Sequence, residues 1–244
     1  MKYYKQKIIV IINCIMLNIC ICNDTSINHF IINKKFNYKL EFEKLSAGNA
    51  FISINEKLLD NKKILDLTSK IKTNRFFDFF YKIRDEIYID MNIEDFSLLR
   101  VINKIREGKY KKDYDSIVNI NSMEVITNGI KHNITDKIFS PLSIIFSLRN
   151  KQLNINDVYN YSTYSSGKIK NINISVIGYE NINTPFGIYE SIVLSPKSSD
   201  GKSAIKNKGD MKIWLTNDEK RLPIKIEVKL KHGSIVLLLN DIES

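Results

Sequence analysis

The chain predicts a mainly β protein, built as a single curved antiparallel sheet or half-barrel of about a dozen strands with one short apolar helix at about 141–149. Three observations carry this expectation. Apolar and polar residues alternate with period two along most of the chain, the turn signals between these runs are short, and one segment alone combines a convincing helix cap with an apolar run that follows it.

The alternation opens at Phe36, Tyr38, Leu40 and Phe42, interleaved with Asn37, Lys39, Glu41 and Glu43, which is a half-buried strand. Ala47-Gly48-Asn49-Ala50 then offers small residues and a permissive glycine, where a bend or bulge lets the strand run on through Phe51, Ile52 and Ile54. Further strands are expected near 63–72, 79–91, 97–107, 109–119 and 122–127. Arg75 to Phe80 suits a short helical turn, but Phe76, Phe77, Phe79, Phe80 and Tyr81 serve a strand equally well. The helix follows Asp136: Ser140 caps it, Pro141 takes the first helical position, Leu142, Ile144, Ile145, Phe146 and Leu148 follow, and Arg149-Asn150 close it.

The last third reads as a meander near 157–164, 168–179, 186–196, 209–216, 222–231 and 234–240, with hairpin signals at Ser166-Gly167, Asp200-Gly201 and His232-Gly233. Leu222, Ile224, Ile226, Val228 and Leu230 share one face of their strand, against Lys225, Glu227, Lys229 and Lys231 on the other. Ile235 to Leu239 is apolar on both faces, so something must cover its second face. The helix is apolar nearly all round and is expected to be buried on more than one side. A curved sheet wrapped around it then gives either a solid core or an apolar cavity lined by Phe146, Ile235, Leu237 and Leu239.

Ahead of the domain, Lys2, Lys5 and Lys7 precede an apolar run from Ile8 to Ile21, the pattern of a signal peptide over residues 1–22. The run is shorter than the ~20 residues of a spanning helix. Cys20 and Cys22 suit cleavage after Cys22; lipidation at Cys20 would place bulky Ile19 before the acylated residue. A polar stretch, 23–35, leads into one domain, 36–241, with no repeat, linker or break in composition. All the cysteines (Cys14, Cys20, Cys22) fall within the leader, so the mature domain holds no disulfide. Loss of Lys2, Lys5 and Lys7 takes the formal charge from +10 to +7. Lys outnumbers Arg 31 to 6 in a chain rich in Ile and Asn, so codon bias accounts for much of the basic balance and a nucleic-acid partner is not expected.

His29, His132 and His232 are too scattered for a metal site, and no phosphate loop, dinucleotide fingerprint or serine-hydrolase elbow occurs, so no cofactor and no enzyme activity are expected. Strand geometry puts Arg84, Glu86, Tyr88 and Asp90 on one face and Asp85 on the other with Ile83, Ile87 and Ile89. An unpaired carboxylate there would be several kcal/mol unfavourable, roughly, so Asp85 requires a cationic or backbone partner. Arg84, Asp85, Asp90 and Arg106 thus form a candidate polar cluster, either an ion-pair ladder between strands or a polar ligand site. Trp214, the single tryptophan, falls on the same face as Lys212 and Thr216, where it covers a strand rim or marks a partner surface.

Several segments in this order resemble the exported bacterial family catalogued as domain of unknown function 3108. They are Ala47-Gly48, Phe76 through Asp85 with Tyr88 and Asp90, Arg100, Ile105 to Tyr110, the helix from Ser140 to Asn150, Gly178-Tyr179-Glu180, Pro185-Phe186-Gly187, and Met211 to Asp218 leading to Leu222-Pro223-Ile224. The resemblance spans about residues 36–240, and the chain departs from it at Asn217 and in its Asn-rich leader. It implies a secreted or periplasmic β-rich domain, most like the versions from Bacteroidetes, with no established activity. The curved sheet and apolar helix look like those of periplasmic lipoprotein carriers, an analogy of architecture.

The expected protein is an exported monomer at the periplasm or outer membrane that binds or carries an apolar or lipid-like envelope component, without enzymatic activity, on its concave side near 141–149. The alternative is an assembly protein that holds another envelope protein through strand edges or the Lys-rich face around Trp214. A third reading is an enzyme acting on envelope polymers through Asp85, Asp90 and Arg106. A lined cavity favours the first, an exposed Trp214 the second, and a cleft where Asp85 and Asp90 converge the third.

Overall fold

The computed structural model describes residues 29–165, 167–199, 210–231 and 233–244. The expected signal peptide, most of the polar stretch after it, and Ser166, Asp200, Gly201 and His232 of the hairpin signals lie outside the described residues. A single 3-10 turn (His29–Ile31) precedes β1 (Lys34–Phe42), β2 (Leu45–Leu59) and β3 (Lys62–Thr73). The short helix α1 (Arg75–Phe80) leads to β4 (Arg84–Asn92), β5 (Leu98–Glu107), β6 (Tyr110–Asn119), β7 (Glu124–Thr127) and β8 (Ile130–Asn133). Helix α2 (Pro141–Leu148) precedes β9 (Val158–Ser165), β10 (Lys168–Thr184), β11 (Gly187–Ser198), β12 (Asp210–Thr216), β13 (Pro223–Leu230) and β14 (Gly233–Glu243).

All fourteen strands form one open antiparallel sheet in the order β8-β7-β6-β5-β4-β3-β2-β1-β14-β13-β12-β11-β10-β9. Two meanders are joined in the middle by the first and last strands, with Tyr38 opposite Leu239 and Leu40 opposite Leu237. The middle of the chain carries both outer edges. These do not pair with each other, but the segment between them links them. Phe139 bonds to β9 on one side, donating to the Ser162 carbonyl at 2.9 Å and accepting from the Tyr164 amide at 2.8 Å, while the preceding Ile138 carbonyl accepts from Leu98 of β5 at 2.8 Å. A hydrogen bond between the Thr127 and Tyr164 hydroxyls joins β7 to β9. The half-barrel reading therefore holds, with fourteen strands and an open ladder.

Helix α2 fills the concave side, as its all-round apolar surface requires. Ser140 and Ser143 form a reciprocal capping box, and Pro141 starts the helix. Ile144, Ile145, Phe146 and Leu148 are all buried, and the Phe146 ring lies 6.4 Å from Phe36 of β1. At the other end Arg149, 5% exposed, donates from Nε to the Lys220 and Arg221 carbonyls at 3.1 and 2.9 Å, anchoring the helix to the β12–β13 turn. Burial pulls its guanidinium down to about 10, so it remains charged at neutral pH. Beside it the buried Tyr38 hydroxyl, its pKa pushed up by burial, donates to the Pro223 carbonyl at 2.9 Å.

The long β10–β11 hairpin supplies the cover that β14 needs on its second face. A bulge between Val176 and Gly178 bends β10, and the hairpin tip reaches β14, where the Phe186 amide donates to the Leu239 carbonyl at 3.3 Å. Ile182 of this arm lines a groove together with Val236 and Leu238, which are half-buried. The same arm decides between the two readings of Trp214 in favour of the covered rim. Trp214 does point to the outer face, yet it is 2% exposed. Its Nε1 donates to Glu180 Oε2 of β10 at 2.9 Å, and the Lys225 ammonium sits 4.0 Å from the ring centroid. Trp214 is a packed residue and does not itself offer an exposed ring to a partner.

Three measurements check this architecture. Phe146→Ala should destabilise the fold by about 3–5 kcal/mol, read as a lowered urea midpoint, because the ring is wholly enclosed. Gly48→Ala should be destabilising by about 2 kcal/mol or more: a Cβ there would sit 2.1 Å from the Lys72 carbonyl oxygen of the paired strand. Trp214 fluorescence should resist acrylamide quenching, and Lys225→Ala should raise quenching while the far-UV spectrum stays folded.

Candidate functional site

The polar cluster separates into a series of pairs across β2, α1 and β4–β6. Asp85 Oδ1 accepts the Arg106 backbone amide at 2.7 Å, which supplies the partner its inward position demands. The Arg106 guanidinium turns instead to Asp113, bonding both carboxylate oxygens at 2.6 and 3.0 Å. Arg84 bonds both oxygens of Asp78 at 3.0 and 2.6 Å, and Arg100 does the same with Asp115 at 3.0 and 2.7 Å. Asp90 meets the Lys57 ammonium at 2.5 Å. These arginine bonds hold Asp78, Asp113 and Asp115 below the usual carboxylate range. Asp85 and Asp90 lie on opposite faces of β4, so the cleft that the enzymatic reading requires does not form between them. Among the described residues no group of three or more His, Cys, Asp and Glu is placed to hold a metal.

The apolar candidates divide by depth. Phe146 and Leu239 are wholly buried in the core, whereas Leu237 and Ile235 are half-buried. At the position of the first two, a lined cavity is replaced by side-chain packing around α2. Strand register explains the gradient. Leu40, Leu237, Ile226 and Ile213 stand opposite one another across β1, β14, β13 and β12, and all but Leu237 are buried. One row further toward α1, Phe42, Ile235, Val228 and Met211 are in register, and all four are half-buried. The sheet is thus packed around α2 and opens progressively toward α1.

Helix α1 borders this open end. Asn74 caps it by accepting the Phe77 amide at 3.0 Å and fastens it to β2 through the Ser46 carbonyl at 2.7 Å. Phe77 turns inward, its ring 6.1 Å from that of Phe42. The others face out: Phe76 is 64%, Phe79 86%, Phe80 67% and Tyr81 51% exposed. Phe80 lies 5.4 Å from Phe76 and 5.3 Å from Phe79, so the rings form one patch. The β5–β6 turn abuts it, with the Gly108 amide donating to the Lys82 carbonyl at 2.7 Å. This patch was not among the sequence-predicted site residues. Its signal was five aromatics within Phe76–Tyr81, a density that neither strand nor helix periodicity can bury.

A separate polar groove of about 780 Å³ lies on the outer side of β14, β1, β2, β3 and β4, where Lys39, Lys70, Lys72 and Arg84 face Glu86, Asp241 and Glu243. Its charges are mixed and largely paired, with Lys70 3.0 Å from Glu86 and Arg84 engaged by Asp78. Among the described residues no helix is long and apolar enough to cross a membrane.

Among solved structures, the chain is similar to a β-barrel-like protein of domain of unknown function DUF1849 from Brucella abortus, at 8% identity with a TM-score of 0.55, covering 87% of this chain and 98% of that one. That likeness concerns the fold alone. Looser matches are a protein from Bacteroides fragilis NCTC 9343 with a YmcC-like fold, called exported (10% identity, TM-score 0.32, 87% and 96% covered), and one from Parabacteroides distasonis ATCC 8503 called a lipoprotein (8%, 0.33, 86% and 95%). No curated protein matches the chain in sequence. A family model, Protein of unknown function (DUF3108), matches residues 37–240, the span that contains nearly every strand of the sheet, and the chain belongs to that family.

Proposed function

We propose that this domain is a non-enzymatic, exported binder of an apolar or lipid-like envelope component, and that it takes its ligand at the open end of the sheet. The observation that carries this reading is the half-buried row Phe42, Ile235, Val228 and Met211, which continues through Phe77 onto the exposed rings of α1. Each of these side chains keeps apolar surface in water that a bound chain would remove, at about 25 cal/mol per Å². The deeper rows are already filled by α2, so a ligand extends the existing core instead of occupying a void within it. The ion-pair ladder supports the same reading from the other side, since its carboxylates are engaged by arginine, lysine or backbone partners and leave no converging acid and base.

The protein, exported to a bacterial periplasm and purified without detergent, should yield a stoichiometric apolar compound on organic extraction and mass spectrometry. Ile235→Glu should abolish that recovery while the far-UV spectrum and Trp214 emission remain those of the folded protein. Recovery of the same compound from the variant, or an empty and stable wild type that also fails to take up an added fluorescent fatty acid, would sink this reading.

A further inference from the structure

The open end carries charge as well as aromatic surface. Around the α1 patch, the β1–β2 turn offers exposed Lys44, α1 and its exit offer Arg75 and Lys82, the β5–β6 turn and the start of β6 offer Lys109 and Lys111, and the β13–β14 turn offers Lys231. These six exposed cations stand against two carboxylates at the same turns, Glu43 and Glu107, because Asp78 of α1 is engaged by Arg84. Glu43 accepts the Ser234 amide at 2.6 Å, and Glu107 accepts the Tyr81 hydroxyl at 3.5 Å. The turns are held together: the Glu43 amide donates to the Ser234 carbonyl at 3.1 Å, Asn74 bonds to Ala47, and Ile83 pairs with Glu107. A ring of lysine and arginine around phenylalanine and tyrosine is the composition suited to the boundary between headgroups and acyl chains.

We infer that the α1 end is a docking surface for an anionic lipid bilayer, with Phe79 and Phe80 entering the headgroup boundary and Lys44, Arg75, Lys82 and Lys109 facing lipid phosphates. Two independent features select a membrane over a protein partner or a second copy of the chain. The apolar element is a convex cluster on a six-residue helix, not a groove shaped to receive another chain, and the charge around it is predominantly of one sign, which opposes self-association of this face. The inference goes beyond the ligand reading. Docked this way, the half-buried row of the open end faces the lipid source, but membrane binding does not require that a ligand be carried.

The test is co-flotation of the exported, detergent-free protein with vesicles of phosphatidylglycerol and phosphatidylethanolamine, compared with phosphatidylcholine vesicles, at low and at 0.5 M salt. The wild type should float with the anionic vesicles at low salt and weaken at high salt. Phe79→Ser with Phe80→Ser should reduce binding by on the order of tenfold or more. Lys82→Glu with Lys109→Glu should remove the preference for anionic lipid, about fivefold for each cation lost. These side chains are exposed, so folding should survive, and shielded Trp214 emission checks that it does. No flotation of the wild type, or equal flotation of the phenylalanine variant, overturns the inference. So does a concentration-dependent dimer that the phenylalanine variant abolishes, which would make the patch a self-interface. Flotation of a protein that neither yields an extracted ligand nor takes up the fluorescent fatty acid would retain the docking surface and sink the carrier reading alone, and a ligand without flotation would do the reverse.

Discussion

A sheet of fourteen strands that curls on itself creates a concave face too large for its own side chains to fill, and the remainder of this structure depends on how that space is occupied. Helix α2 is the filling. It comes from the midpoint of the chain, between the two edge strands, so the segment that enters the interior is also the one that bridges β5 to the edge strand β9. A buried helix must account for both of its polar ends. Here the Ser140–Ser143 box serves one end; at the other the Arg149, Asn150 and Lys151 amides donate to the Phe146, Ser147 and Leu148 carbonyls, and the Arg149 side chain ties that end to the β12–β13 turn. The guanidinium rests on carbonyl groups and not on a paired carboxylate, so the anchor is a charge-assisted hydrogen bond to backbone in a dry site.

Because α2 is only eight residues long, it covers the face unevenly. Where it packs, the inward row is closed; one row of strand pairs further along, the same kinds of residue are half-wet. The contrast between the packed and the open end of the sheet follows from that length. The edges are blunted by other means: β8 is a four-residue strand with an exposed lysine, and the backbone of Phe139 occupies part of β9.

Most strands and the helix from Ser140 were legible in the sequence, since alternation and capping are local signals. The partner of Asp85 was legible as a need, because a carboxylate among isoleucines demands one, although the backbone amide of Arg106 could not be singled out. Other features were invisible for physical reasons. The outward direction of Trp214 follows from parity, but its cover comes from Glu180 on a bent arm and Lys225 on the next strand, which parity cannot supply. The pairing of β1 with β14 joins residues some two hundred positions apart and leaves no mark in either strand. Phe76 to Tyr81 satisfied two periodicities at once, and Asn74 decided between them by capping.

The central position of the β1–β14 pair also sets the order in which the molecule can be made. Each meander has a raw inner edge until its counterpart arrives, and the strand that joins them is near the end of the chain. A chain emerging from its N-terminal side can form hairpins but cannot complete the middle of the sheet until β14 has emerged. Such late closure slows folding, as expected when the decisive contacts are the most distant in sequence.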